Sequence, residues 1–140
     1  SVRIWDYGVN LEVKFISEPH MYAIPAVTAH PNNKYFLTQS LDNHIGAYST
    51  AEPFKVNAKH RFSGYTLAGN ACQPAVSPDG KFVTSGDGNG GIHYWDWKNA
   101  KLIKKDNKAH ERATLCVQWH PIEPSKLISC SADATIKLWD

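Results

Sequence analysis

"SGDGNGGIHYWDW", Ser85 to Trp97, admits three structural readings, and choosing among them sets the architecture. Gly86-x-Gly88-x-x-Gly91 has the spacing of a dinucleotide-binding fingerprint. Asp87-x-Asn89 opens like a calcium loop, and the stretch ends on Trp95-Asp96. The fingerprint needs a helix directly after its glycines, because the helix N-terminus holds the pyrophosphate. The glycines lead instead into "GIHYW", whose β-branched and aromatic residues have strand composition. The calcium loop needs an acidic twelfth residue, and Lys98 stands there. The third reading is a turn. Asn-Gly is the preferred pair for a two-residue hairpin because both central residues need positive φ. Asn89-Gly90 is therefore expected to form such a turn between the strands "KFVTSG" and "GIHYW".

The same punctuation recurs along the chain. Trp5-Asp6, Trp95-Asp96 and Trp139-Asp140 share one ending, with Tyr48-Ser49 in the missing slot, at steps of 43, 47 and 44 residues. "HPNNK" from His30, "SPDGK" from Ser77 and "HPIEPSK" from His120 each separate two short β-rich runs. In "SLDNHI", "DGNGGI" and "SADATI", Asp42, Asn89 and Asp133 each precede an Ile by three residues and an aromatic by six. No long stretch holds a 3.6-residue period; short runs alternate with Gly, Pro, Asn and Asp. One unit therefore reads as four strands, such as "TLCVQWHP", "KLISCSAD" and "TIKLWD" in the last and "KLIKK" as the fourth of the middle one. Units this small cannot hide their own apolar face and must stack on one another.

Composition fits that picture. At 140 residues with ordinary hydrophobic and charged fractions, the chain is long enough to build a core. A net charge of +2 makes no case for nucleic acid or membrane, and no apolar run spans a bilayer. The residues show no Asn-x-Ser/Thr acceptor, no secretory leader is expected, and a start at Ser1 raises the expectation of a longer parent chain. The three cysteines, Cys72, Cys116 and Cys130, make an odd count that fits a reduced compartment. Cys116-x-x-x-His120 lacks the second ligand pair a zinc site needs, so no metal or cofactor is expected.

The repeat length, the Trp-Asp endings and the Asp-bearing turns resemble the WD-repeat family, whose units of ~40–45 residues form the blades of a β-propeller. The resemblance implies an all-β fold of about three four-stranded antiparallel blades, a partial ring of a seven-bladed propeller. Its expected divisions are residues 1–19 (third and fourth strands of a preceding blade), 20–64, 65–109, and 110–140, the last lacking its outermost strand. In the family that strand comes from the N-terminal end of the ring, so the missing N-terminal blades are expected partners. The family also uses a hydrogen-bonded set of His, Ser or Thr, Asp and Trp. Carried over, it is complete as His110, Ser129, Asp133 and Trp139. It is degraded in His20, Thr38, Asp42 and Tyr48, and again in Tyr65, Ser85, Asn89 and Trp95. His110, Ser129 and Asp133 also read as a hydrolase triad, but no nucleophile elbow surrounds Ser129, and a catalytic site does not recur once per repeat. No enzyme is expected.

"ISEPHMYAIPAV", "AGNACQPAVSPDGK", "SGDGNGGIHYWDWK" and "WHPIEPSKLIS" further resemble the C-terminal propeller of a family of spliceosomal pre-mRNA-processing factors. That resemblance implies a nuclear scaffold in the second step of splicing, binding other spliceosomal proteins and lying near pre-mRNA or small nuclear RNA. The alternative is a WD-repeat adaptor elsewhere, such as a substrate-recognition subunit. Tyr65 departs from the family's His, and Pro74 marks a strand edge or bulge, since it removes a ladder donor. Lys98, Lys101, Lys104, Lys105 and Lys108 surround an expected outermost strand, where charge protects an edge or meets RNA phosphate. Trp97 either packs under its loop or anchors a partner. "STAEPFKVNAKH", Ser49 to His60, is expected to be an exposed connection.

Overall fold

The computed structural model describes all 140 residues and contains strands and no helix. A two-stranded sheet pairs β1 (Val2–Trp5) with β2 (Glu12–Ile16). The second sheet runs in order β3 (Ala26–Ala29), β4 (Tyr35–Ser40), β5 (His44–Ser49), β6 (Val56–Phe62). The third runs β7 (Ala75–Val76), β8 (Phe82–Gly86), β9 (Ile92–Asp96), β10 (Leu102–Asp106). The last holds β11 (Thr114–Trp119), β12 (Leu127–Ser131) and β13 (Ile136–Trp139). All pairings within the sheets are antiparallel between chain neighbours, so every sheet is a meander. This is a partial β-propeller.

The core lies between sheets. Leu37, Ile45 and Phe62 of the second sheet meet Val83 and Trp95 of the third, with Tyr65, Leu67 and Cys72 from the connecting segment filling the seam. Ala75 and Ile92 meet Val117 and Leu127 across the next seam. A strand with a sheet on each side is buried on both faces, and β5 and β8 read so. At the two ends one face is uncovered. β1 and β13 alternate covered and uncovered positions, and Ile136 and Leu138 stay 71% and 70% exposed.

Two details differ from the sequence reading. The turn in Ser85–Trp97 is not a two-residue hairpin. Asp87 N–H bonds to the Gly91 carbonyl, which leaves three loop residues, Gly88, Asn89 and Gly90, and of these only Gly90 has positive φ. The other two turns have the same form: Leu41–Asn43 with Asn43 at φ +68°, and Ala132–Ala134 with Ala134 at φ +65°. A type I turn closed by one left-handed residue fits strand twist as well as the shorter turn does. The second difference is Ser49–His60, whose latter half belongs to β6. An outermost strand is exposed on both faces, so it lacks the apolar alternation that reveals a strand. The edge expected at Pro74 is present: β7 is only two residues long. Pro74 carries no N–H, and the ladder begins directly after it.

Candidate functional site

The turn that carries Asp87 is wedged between sheets, and its glycines make that possible. Gly88 N–H bonds to Thr66 O at 2.8 Å, Thr114 N–H to Asp87 O at 2.9 Å and His110 N–H to Gly90 O at 2.9 Å. A Cβ on Gly86 would strike the Thr114 carbonyl, and one on Gly90 the His110 carbonyl. The glycine-rich run is shaped by neighbouring backbone, not by a phosphate.

The structure brings His110, Ser129, Asp133 and Trp139 together. His110 Nδ1 lies 3.0 Å from Asp133 Oδ2, and the Trp139 indole donates to Ser129 Oγ at 2.8 Å. His110 Nε2 lies 2.7 Å from Ser129 Oγ, so with Nδ1–H directed at the carboxylate the Ser129 hydroxyl donates to Nε2. The Thr135 hydroxyl first, then the Glu111 and Thr135 amides and His110, hold the Asp133 carboxyl well below the usual carboxylate range. These atoms have the connectivity of a triad. Ser129, however, is 1% exposed and its oxygen is already engaged by two partners, which leaves no approach for a substrate carbonyl. The cluster ties β11's entry segment to β12 and β13.

The middle set is wired differently. Tyr65, Ser85 and Trp95 are buried, but Asn89 is exposed and its side chain takes no part. The acid is Asp87, two residues earlier. Its carboxylate accepts from Asn89 N–H at 2.8 Å, Gly91 N–H at 2.7 Å and His93 Nε2 at 2.7 Å. Gly91 has no Cβ, so Asp87 can fold across it to reach His93. Burial would raise the Asp87 carboxyl; the His93 bond and the two amides outweigh it and hold the group low. Burial also depresses His93 more than Asp87 raises it, so the imidazole is neutral at pH 7 beside an ionised carboxylate. The Trp95 indole donates to Ser63 O at 2.9 Å, not to Ser85, and Tyr65 packs edge-on to it at 5.2 Å. Ser85 instead accepts from Gln39 and donates to the Gly86 carbonyl.

The first set does not assemble around His20 either. His20 is exposed on a turn in which Met21 N–H bonds to Glu18 O. Asp42 pairs with His44, and Arg61 lies 3.7 Å from its other oxygen. Tyr48 stacks on Phe36 and donates to Glu18 at 2.6 Å, while Thr38 is buried beside it. Sequence reading missed Asp87, His93, His44 and Glu18. The signal for the two histidines was present: each lies at or near the start of the strand after an acid-bearing turn. The two are not in equivalent slots, so no repeat alignment pairs them.

Two surfaces remain. Trp97 is half-buried, stacked on His60 at 4.2 Å and tilted against His30 at 4.3 Å, with one edge in a notch beside Pro31 and Pro78. Burial depresses both histidines. Lys98, Lys101, Lys104, Lys105 and Lys108 are exposed along and beside β10, the outer strand of its sheet, and Lys104 lies 5.5 Å over the Tyr94 ring. A cleft of about 720 Å³ separates β2 from β6, with Lys14, Lys55 and Arg61 around Phe15, Phe54 and Val56.

Repeated four-stranded meanders with an aspartate turn packed on the next sheet define a WD-repeat protein. The family model "WD domain, G-beta repeat" matches residues 60–96 and 101–140, more than half the chain, and the chain belongs to that family. It is similar to human pre-mRNA-processing factor 17, 45% identical over 140 residues, all of this chain and 24% of that protein. The protein of that name in Saccharomyces cerevisiae is 34% identical over the whole chain and 31% of its own length. Mouse WD repeat-containing protein 25 is 26% identical over 99% of the chain and 26% of its length. The chain thus spans about a quarter to a third of these relatives.

Proposed function

We propose that this chain is part of a non-catalytic protein-interaction scaffold of the spliceosome, acting in the nucleus in the second step of pre-mRNA splicing. One observation carries the reading: identity to pre-mRNA-processing factor 17 extends over every part of the chain in both human and yeast relatives. The burial of His110 and Ser129, with Asp133 bonded to His110, supports a structural use of those residues. Residues 1–19, 20–64, 65–109 and 110–140 act as successive units of a seven-bladed ring, and the remaining blades of the same protein cover the open end faces. Surface then supplies the function, as rigid scaffolds carry binding on loops and rims. Exposed lysines beside the free edge of β10 serve first to prevent edge pairing.

The test is affinity purification of the tagged full-length protein with a splicing assay on depleted extract. Spliceosomal proteins and small nuclear RNAs should co-purify. Depletion should leave first-step products unconverted. Recovery of an unrelated complex with normal splicing overturns the reading in favour of an adaptor elsewhere. A steep salt dependence of RNA binding, lost on Lys104→Glu with Lys105→Glu, would instead assign the lysines to phosphate contact.

A further inference from the structure

β2 and β6 are the outermost strands of neighbouring sheets, and each keeps a free edge. The cleft between them holds about 720 Å³, inside the range of about 300–1,000 Å³ usual for ligand clefts. Its walls are consecutive runs, residues 14–19 on one side and 53–58 on the other. Alternate residues of a strand point to opposite faces, so an unbroken lining run presents backbone edge as well as side chains. Tyr48 donates to Glu18 at 2.6 Å and ties the two walls together. Burial first, then Glu18, pushes the Tyr48 hydroxyl up, so it remains a donor. Apolar surface comes from Ile16, Pro19, Pro53, Phe54 and Val56, the last 59% exposed. The lining cations Lys14, Lys55 and Arg61 stand against one lining carboxylate, Glu18, which Tyr48 already engages. Arg61 lies 3.7 Å from Asp42, but no ion pair holds Lys14 or Lys55. Both walls belong to this chain and lie on the outer rim, so blades that cover the two end faces leave the cleft open.

We propose that this cleft docks an acidic, extended peptide segment of a partner protein, added as a strand along the free edge of β2. The peptide main chain takes up the unpaired N–H and C=O groups of that edge. Its apolar side chains lie on Phe54 and Val56, and its carboxylates meet Lys14 and Lys55. β2 is the pairing edge because its register runs unbroken from Val2↔Ile16 to Ile4↔Lys14. The register of β6 shifts between Gly46 and Tyr48, and the Asn57 side chain already takes the Lys59 N–H. RNA fits less well. Base stacking needs open ring faces, whereas Tyr48 is buried against Phe36 and Arg3 lies over the Phe15 ring. A protein partner is what the scaffold reading supplies, and the site rests on that reading to this extent only.

The test is fluorescence anisotropy of the full-length protein with a labelled short peptide of alternating Glu and Val around a central Phe, then hydrogen–deuterium exchange of the complex. Binding should weaken about tenfold on Lys14→Glu with Lys55→Glu, and should fade as salt rises. Val56→Asp, on the apolar wall, should weaken it as well, with the urea midpoint of each variant confirming an intact fold. A peptide with Lys in place of every Glu, and oligouridylate, should not bind. Exchange should slow at the amides of Glu12–Ile16. Protection at residues 98–108 instead, equal binding to the charge-reversed variant, oligouridylate taking the peptide's place, or no binding at all would overturn the proposal. None of these results bears on co-purification with spliceosomal proteins, so the docking site can fail while the splicing role stands.

Discussion

The Asp87 cluster gives the sharpest test, because sequence and structure assign the middle repeat's polar anchor to different residues. Repeat alignment selects Asn89; the structure selects Asp87. Asp87→Ala removes the acceptor of three donors, and two of those, Gly91 N–H and His93 Nε2–H, are buried. An orphaned buried donor costs about 1–3 kcal/mol, so losing the partner of two of them should destabilise the protein by about 2–6 kcal/mol. Asn89→Ala removes an exposed side chain and should stay within about 0.5 kcal/mol. Asp87→Asn is the informative control. Its oxygen still accepts the two amides, and its NH₂ faces His93 Nε2. The ring can answer by moving its proton to Nδ1, an atom now buried without a partner. The loss should therefore be about 1 kcal/mol. Urea unfolding of the full-length protein, followed by tryptophan fluorescence, reads all three. If Asn89→Ala destabilises as much as Asp87→Ala, Asp87 is not the anchor of the middle repeat.

Other substitutions test the inter-sheet contacts. Gly90→Ala combines positive φ with a carbonyl where its Cβ would go, and should abolish soluble expression, whereas Gly69→Ala, left-handed but in open space, should lose about 1 kcal/mol by thermal denaturation. Ser129→Ala strands the Trp139 indole and the His110 ring and should cost about 2–4 kcal/mol; labelling of Ser129 in the native protein by a fluorophosphonate would contradict its structural role. Acid should weaken the fold in two stages. His93, His30 and His60 have depressed folded values, so the unfolded chain takes up their protons first, and stability should fall as pH drops below about 6.5. Asp87 and Asp133 are depressed too; their contribution is present above about pH 3.9 and is lost as pH falls below it. A midpoint of urea unfolding that stays constant from pH 7 to 5 would rule out the first stage.

The repeat spacing, the strand runs and the Trp-Asp endings were legible because they are local: a strand declares itself by composition, and a turn by Gly, Asn and Asp. The complete set His110–Ser129–Asp133–Trp139 was legible for the same reason, since each member keeps its expected slot. Three-dimensional packing settled the rest. It put Trp97 between His30 and His60 and sent the Trp95 indole to Ser63, contacts spanning 32 to 67 residues of chain. It moved the polar anchor of the middle repeat from Asn89 to Asp87, because a glycine at 91 leaves the side chain room to cross. It gave β6 a ladder that its polar sequence conceals. A buried polar atom must find some partner, and which partner is nearest depends on how two sheets meet, a quantity that no local stretch of sequence contains.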